Sequence, residues 1–293
     1  MKTSKKLFID PQNPPKVLLL GNGILQLNNG MKWSDLINTL SPTGSNMRSV
    51  EGVPFAMQPE AVCGTDVEEV QRKTAKIIKS GDPHQVLKDL MGLNFDAILT
   101  TNYTYEIEEA LSGKEWTESK RRNSHTTLFG SPQVRYNTHK CNIVRDKNNR
   151  EVPVFHIHGE KERKHSLVLS YYSYANAVYH LIEMNKQRQN TYEEKQESGS
   201  LLECHGWLDY FLLGEVYAVG FGFDLSEFDI WWAIERKSRE HARHGKLHAY
   251  MIGEEQDSAR STLFETMSVD EQFIRVEDKN YLKAYEKVLS ELR

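Results

Sequence analysis

At 293 residues, with 37 basic against 41 acidic side chains and a net charge of −4 spread along its length, the chain can bury its own core as one large α/β domain or two modest ones, and it lacks the electrostatic footprint of a dedicated nucleic-acid binder. Its three cysteines, Cys63, Cys141 and Cys204, form no CxxC pair, which excludes a disulfide framework or a zinc ribbon and makes a reduced cytoplasm the expected setting. No run approaches the ~18 apolar residues of a membrane span, and MKTSKKLFIDPQNPP is too interrupted to serve as a signal-peptide core.

In chain order, KVLLLG (16–21) is expected as a strand and SDLINTL (34–40) as a helix capped by Ser34. Residues 41–92, polar and punctuated by Pro and Gly, read as a helical insertion whose clearest helix is EEVQRKTAKIIKS (68–80). DAILTTN (96–102) is expected as a strand and TYEIEEAL (104–111) as a helix. Residues 112–150 read as an irregular, lid-like segment, with the basic run around Arg121 and Arg122 as a solvated loop. VPVFHIHG (152–159), SLVLS (166–170), VYAVGFG (216–222) and LHAYMIG (247–253) read as further strands. Helices are expected over 174–189, 227–242 and 280–292, the last capped by Asn280. Apolar strands alternating with helices imply a Rossmann-like, doubly wound, mostly parallel sheet in a single domain over 1–293.

The chemistry-bearing residues fall at strand ends. Gly21, Asn22 and Gly23 form a glycine turn at the carboxyl edge of the first strand, where backbone approaches a pyrophosphate closely; the alternative is a turn that needs positive φ at both glycines. The full GxGxxG is absent. Thr100, Thr101 and Asn102 leave the next strand at the same edge, and Asn102 either holds a ribose hydroxyl and orients water or caps the following helix. In VFHIHGEK, alternation puts His156 and His158 on one face, and His158, beside Gly159, is a candidate general base, with a hydrogen-bonded core histidine as the alternative. VGFGFDLSEFDIWW repeats the strand, glycine turn and helix pattern at Gly220, Gly222 and Asp224, while Trp231 and Trp232 read as a packing face. A metallohydrolase using His156 and His158 with His165, His125 or His139 is a competing reading.

Taken together these segments resemble the sirtuin-like family, in particular its divergent bacterial branch in antiphage defence. Gly21–Gly23 resembles the family's glycine turn, and Gly30, Trp33, Leu36 and Ile37 resemble the GxxWxxLI segment that follows it. Thr100-Thr101-Asn102-Tyr103 resembles the TTNY element with its catalytic asparagine, and His158-Gly159 the HG with its catalytic histidine. Ser170 and Tyr174 resemble a later Ser…Tyr stretch, and Gly220 to Trp232 the late glycine motif. Thr104 stands where an aspartate is usual, so a ribose contact is lost or taken over by Glu106 or Glu108. The four-cysteine zinc module of the protein deacetylases is absent.

The resemblance implies NAD⁺ as the substrate and no metal, with water as acceptor, hence release of nicotinamide and ADP-ribose. Asn102 and His158 are then catalytic, and Gly21, Asn22, Gly23, Thr101, Gly220, Gly222 and Asp224 bind the dinucleotide. It further implies a cytoplasmic effector that depletes NAD⁺ on phage infection, a homo-oligomer, and a HerA-type ATPase or short Argonaute as partner, with nucleic acid reached only through that partner. A sensing module that binds NAD⁺ or ADP-ribose without turnover is the remaining alternative.

Overall fold

The computed structural model describes residues 5–41, 49–129, 137–240 and 245–293. Its ten strands are β1 (Phe8–Ile9), β2 (Lys16–Leu20), β3 (Ala97–Thr100), β4 (His125–Thr127), β5 (Lys140–Arg145), β6 (Glu151–His156), β7 (Leu202–Glu203), β8 (Glu215–Val219), β9 (Leu247–Gly253) and β10 (Asp270–Arg275). The helices are α1 (Trp33–Leu40), α2 (Gln58–Cys63), α3 (Val67–Ile77), α4 (Gln85–Met91), α5 (Glu106–Ser112), α6 (Glu118–Ser124), α7 (Tyr171–Ser198), α8 (Trp207–Leu213), α9 (Phe228–Glu240), α10 (Ser258–Thr266) and α11 (Tyr281–Leu292).

Eight strands form one sheet in the order β10-β9-β8-β2-β3-β6-β5-β4, while β1 and β7 make a separate two-stranded ribbon. From β10 to β6 every pairing is parallel, and β5 and β4 add an antiparallel edge. The chain winds from β2 outward to β3 and β6, then returns to the other side of β2 with β8, β9 and β10. That reversal makes β2 the switch point, beside which open α/β sheets form their ligand crevice.

Strand alternation explains why the central strands are apolar throughout. Val17 and Leu19 enter one core with Leu99, Phe155 and the helix α8, whereas Leu18 and Leu20 enter the other with Ile98, Val154 and the helices α4, α5 and α11. The four apolar side chains of β2, Val17 to Leu20, are fully buried, each contributing about 1.5–3 kcal/mol of transfer free energy. A smaller core joins α1 and α3 to Leu167 and Leu169. Among the described residues no helix is long and apolar enough to cross a membrane.

Several expectations are corrected. The first helix starts at Trp33, so Ser34 lies within its first turn, and the Asp35 carboxylate accepts from the Lys32 N–H instead. Residues 166–170 form no strand; they cross from a 3-10 turn into α7, whose cap is Ser170. The segment 112–150 is not irregular where it is described: it supplies α6, β4 and β5, with residues 130–136 outside the described set. Asn280 does cap α11, accepting from the Lys283 N–H at 3.1 Å.

Candidate active site

Sheet register assembles the site. Leu20 pairs with both Thr100 and Val219, and Thr100 pairs with His156, so four strands end side by side. The next residues of each, the Gly21 turn, Thr101 and Asn102, His158, and Gly220 onward, therefore leave the sheet at one edge. There they open a cleft of about 910 Å³ lined by Asn22, Gly23, Thr101, Asn102, His158, Gly220, Gly222 and Asp224, a size suited to a small-molecule ligand or cofactor. Gly21 lies behind it. No residue of 112–150 lines this cleft among those described, so the lid expected there is not seen.

The glycines of the first turn serve close backbone approach. Neither Gly21 nor Gly23 has positive φ. A Cβ on Gly21 would stand 2.4 Å from the Gly220 carbonyl oxygen, and one on Gly23 would stand 2.6 Å from the Tyr285 hydroxyl. The Gly21 and Gly23 amides donate to the Val219 and Gly220 carbonyls at 3.2 and 2.8 Å, locking the two turns together. Positive φ occurs instead at Gly220 (+61°) and at Phe223 (+49°), the latter a strained conformation for a bulky residue, held by packing against Phe221, Trp231 and Phe264. Gly222 faces open space. The Asp224 carboxylate accepts from the Ser226 N–H and hydroxyl, fixing the turn into α9.

Asn102 does not cap α5, which begins at Glu106. It is buried, its Nδ2 donates to the Gly21 carbonyl at 3.2 Å and its N–H to Thr100 Oγ1 at 3.1 Å, while Oδ1 has no partner among the described residues. A buried amide oxygen without a partner beside an open cleft is an acceptor held ready for a ligand donor.

The two histidines part company because β6 ends at His156, which ends the alternation. His156 donates from Nδ1 to the Asn102 carbonyl at 2.7 Å and from Nε2 to Glu108 Oε1 at 2.8 Å. Burial opposes its protonation, but the adjoining Glu108 carboxylate outweighs burial and raises its pKa to about 9. His158 turns the other way: its Nε2 lies 3.0 Å from Asp229 Oδ2 at the start of α9, and its ring meets Tyr174 edge-on at 5.2 Å. Here too burial disfavours the charged ring and the Asp229 charge prevails, so the pKa is raised. Both nitrogens of His156 are engaged within the core, and among the described residues no group of three or more His, Cys, Asp or Glu is arranged to hold a metal.

Of the two acids considered as replacements at the Thr104 position, Glu106 lines the cleft and Glu108 lies beneath His156. Glu106 Oε1 accepts from the Gly81 N–H at 2.8 Å, Oε2 has no partner among the described residues, and burial raises its pKa, with Thr104 hydrogen-bonding to its side chain. Sequence reasoning missed Glu227, buried and pushed up to about 8 by its burial, and Arg260, which donates to the Gly222 carbonyl at 2.7 Å from the cleft wall. Nothing in the sequence around Arg260 marks it; Asp229, also missed, stands in the FDIWW run directly after the glycine turn. A second depression of about 1010 Å³, lined by Lys5, Trp116, Lys120, Arg145 and Lys147, lies at the far end of the sheet; of the candidate residues it contains only His125.

A search of curated proteins found no match to this chain. A family model described as a SIR2-like domain matches residues 96–271, from β3 through the start of β10, and so takes in Asn102, His158 and the late glycine turn while leaving out β2, which the sheet register restores to the same cleft. The match covers more than half of the 293 residues, and the chain belongs to the SIR2-like family, whose domains are NAD⁺-binding domains of NAD-dependent enzymes.

Proposed function

We propose that the protein is an NAD⁺ glycohydrolase that cleaves the nicotinamide–ribose bond with water as acceptor, releasing nicotinamide and ADP-ribose. The observation that carries this reading is that Asn102, with its unpartnered Oδ1, and His158, backed by Asp229, line one cleft at the switch point of the sheet. The C1′–N bond breaks with its electron pair moving onto the nicotinamide nitrogen, and positive charge develops at C1′. Asn102 Oδ1 orients a water toward that carbon. The proton that water loses on attack is accepted by His158, so NAD⁺ and water give nicotinamide, ADP-ribose and one proton.

The glycine-lined end of the cleft, with Gly23, Gly220 and Gly222, admits the pyrophosphate against the backbone, and Glu106 stands in for the ribose acceptor that Thr104 lacks. As an effector that depletes NAD⁺ the enzyme requires outside control, and we assign it to bacterial antiphage defence, with self-assembly or an ATPase or Argonaute partner as the source of activation. The buried Thr104 favours one second reading, a sensor that binds NAD⁺ or ADP-ribose without turnover.

The test is incubation of the purified protein, dilute and concentrated, with NAD⁺, following nicotinamide and ADP-ribose, beside Asn102→Ala and His158→Ala. Loss of product by about 10²-fold or more in both variants is expected. Product that survives both substitutions overturns the site, and NAD⁺ binding without product at any concentration favours the sensor.

A further inference from the structure

Asp229 stands in the first turn of α9, fully buried, with Oδ2 3.0 Å from His158 Nε2 and Oδ1 without a partner among the described residues. An ionised carboxylate only accepts hydrogen bonds, so the ring nitrogen facing it carries the proton. In the neutral ring the unprotonated nitrogen is then Nδ1, on a residue that lines the same cleft as Asn102. We propose that Asp229 is the positioning residue of the reaction: it holds His158 in one orientation as the Nε2–H tautomer, which makes Nδ1 the atom that accepts the proton. This inference rests on the hydrolase reading above.

Three features support the assignment. Asp229 sits in the first turn of α9, at the positive end of the helix dipole, where a negative charge is attracted. Tyr174 from α7 packs edge-on against the ring, and a 180° ring flip, which would put Cε1 where Nε2 now faces Asp229, must break that contact. The other titratable groups around the pair are Glu227 on the α9 side, a buried carboxyl that adds to the raising of His158, and Tyr103 from the loop after β3, whose hydroxyl is itself raised by burial and by the charges of Glu227 and Asp229. A histidine held by a buried carboxylate at one nitrogen while the other works is the arrangement of hydrolytic triads, where loss of the acid's charge lowers turnover by misplacing the proton.

Two measurements on the full chain decide it. The first is ¹⁵N NMR of histidine-labelled protein, with His158 assigned by comparison with His158→Gln. A pyrrole-type Nε2 and a pyridine-type Nδ1 are expected, and the opposite tautomer overturns the proposal. The second is the pH profile of kcat for wild type, Asp229→Asn and Asp229→Ala. The isosteric Asn keeps an acceptor at Nε2 but removes the charge, so the acid limb moves down by about one to three pH units. Turnover falls by about 10²–10⁴-fold in Asp229→Ala, with KM for NAD⁺ unchanged. An acid limb that stays in place in Asp229→Asn also overturns the proposal. The NMR measurement needs no turnover, so a protein that never cleaves NAD⁺ sinks the hydrolase reading while the tautomer still judges Asp229; turnover with an Nδ1–H ring sinks this inference alone. Should either variant fail to fold, the wild-type tautomer decides.

Discussion

Gly21→Ala and Gly222→Ala test whether the two glycine turns do different jobs. A Cβ at position 21 meets the Gly220 carbonyl oxygen at 2.4 Å and Phe221 Cα at 2.5 Å, both backbone atoms that no rotamer change can move. Ordinary van der Waals contact requires roughly 1 Å more, so the turn after β2 and the turn after β8 must separate. Their separation breaks the Gly21 and Gly23 hydrogen bonds to Val219 and Gly220, at about 1 kcal/mol each, in addition to overpacking strain of about 1–3 kcal/mol. A loss of about 3–5 kcal/mol lowers Tm by roughly 6–20 °C for a domain of this size. At position 222 a Cβ meets nothing within 4 Å, so stability changes by less than about 0.5 kcal/mol, while the added methyl group narrows the cleft and raises KM for NAD⁺. Thermal melts of both variants decide it. A Gly21→Ala protein that melts within a degree of wild type, or a Gly222→Ala protein that loses as much, refutes the steric argument.

Glu106 and Glu108 separate in the same way. Glu106→Gln keeps the bond from Gly81 and is expected to raise KM for NAD⁺ by roughly 3–10-fold with little change in stability. Glu108→Gln removes the charge that the raised His156 relies on, and a denaturant titration should show a loss on the order of 3 kcal/mol. Stability also depends on pH with a definite sign. His156 (about 9) and Glu227 (about 8) both have folded pKa values raised above their unfolded ones, so each contributes stability that is complete below its unfolded pKa and is lost as pH rises through the folded one. Urea midpoints should fall between pH 6 and pH 9, and Glu227→Gln should flatten the part of the fall below about pH 8; midpoints that rise over this range contradict the burial argument. A chelator is expected to leave NAD⁺ cleavage unchanged, and its abolition by a chelator would revive the His156–His158 metal reading.

The central sheet and its carboxyl edge were legible because short, continuously apolar runs bounded by turn residues read as strands of a sheet buried on both faces. KVLLLG, DAILTTN and VYAVGFG each became the expected strand, and their ends met. What stayed hidden has physical causes. The β4 and β5 edge carries Thr, Asn and Lys, with Asn142 buried and hydrogen-bonded to Glu108, so its apolar signal is diluted. SLVLS has strand composition, but the Ser170 cap pulls it into the approach to α7. Helix α8 is buried at every position, which erases the periodicity that marks a helix. Asp229 meets His158 from the first turn of α9 and Arg260 reaches the cleft from the first turn of α10, and no spacing in the sequence announces a meeting made by tertiary packing.

The pair His156 and His158 shows why perturbation alone does not identify a catalyst. Each is buried, each faces a carboxylate, and each has a raised pKa, so perturbation does not separate the two rings. A base must have a nitrogen that reaches the reacting atoms. His156 has both nitrogens engaged, one by the carbonyl of Asn102 and one by Glu108, and it does not line the cleft among the described residues; its function is to fasten the Asn102 backbone to α5. His158 has one nitrogen engaged and lines the cleft. The two substitutions should therefore fail differently. His156→Gln strands the buried Glu108 charge and is expected to lower stability by about 3 kcal/mol or more, while the fraction that stays folded retains turnover within about tenfold. His158→Gln should keep most of its stability and lose turnover by 10²-fold or more. Activity normalised to the folded fraction, measured by circular dichroism in the same samples, separates the cases, and equal losses per folded molecule for the two variants would show that proximity to Asn102, not access to the cleft, sets the role of each ring.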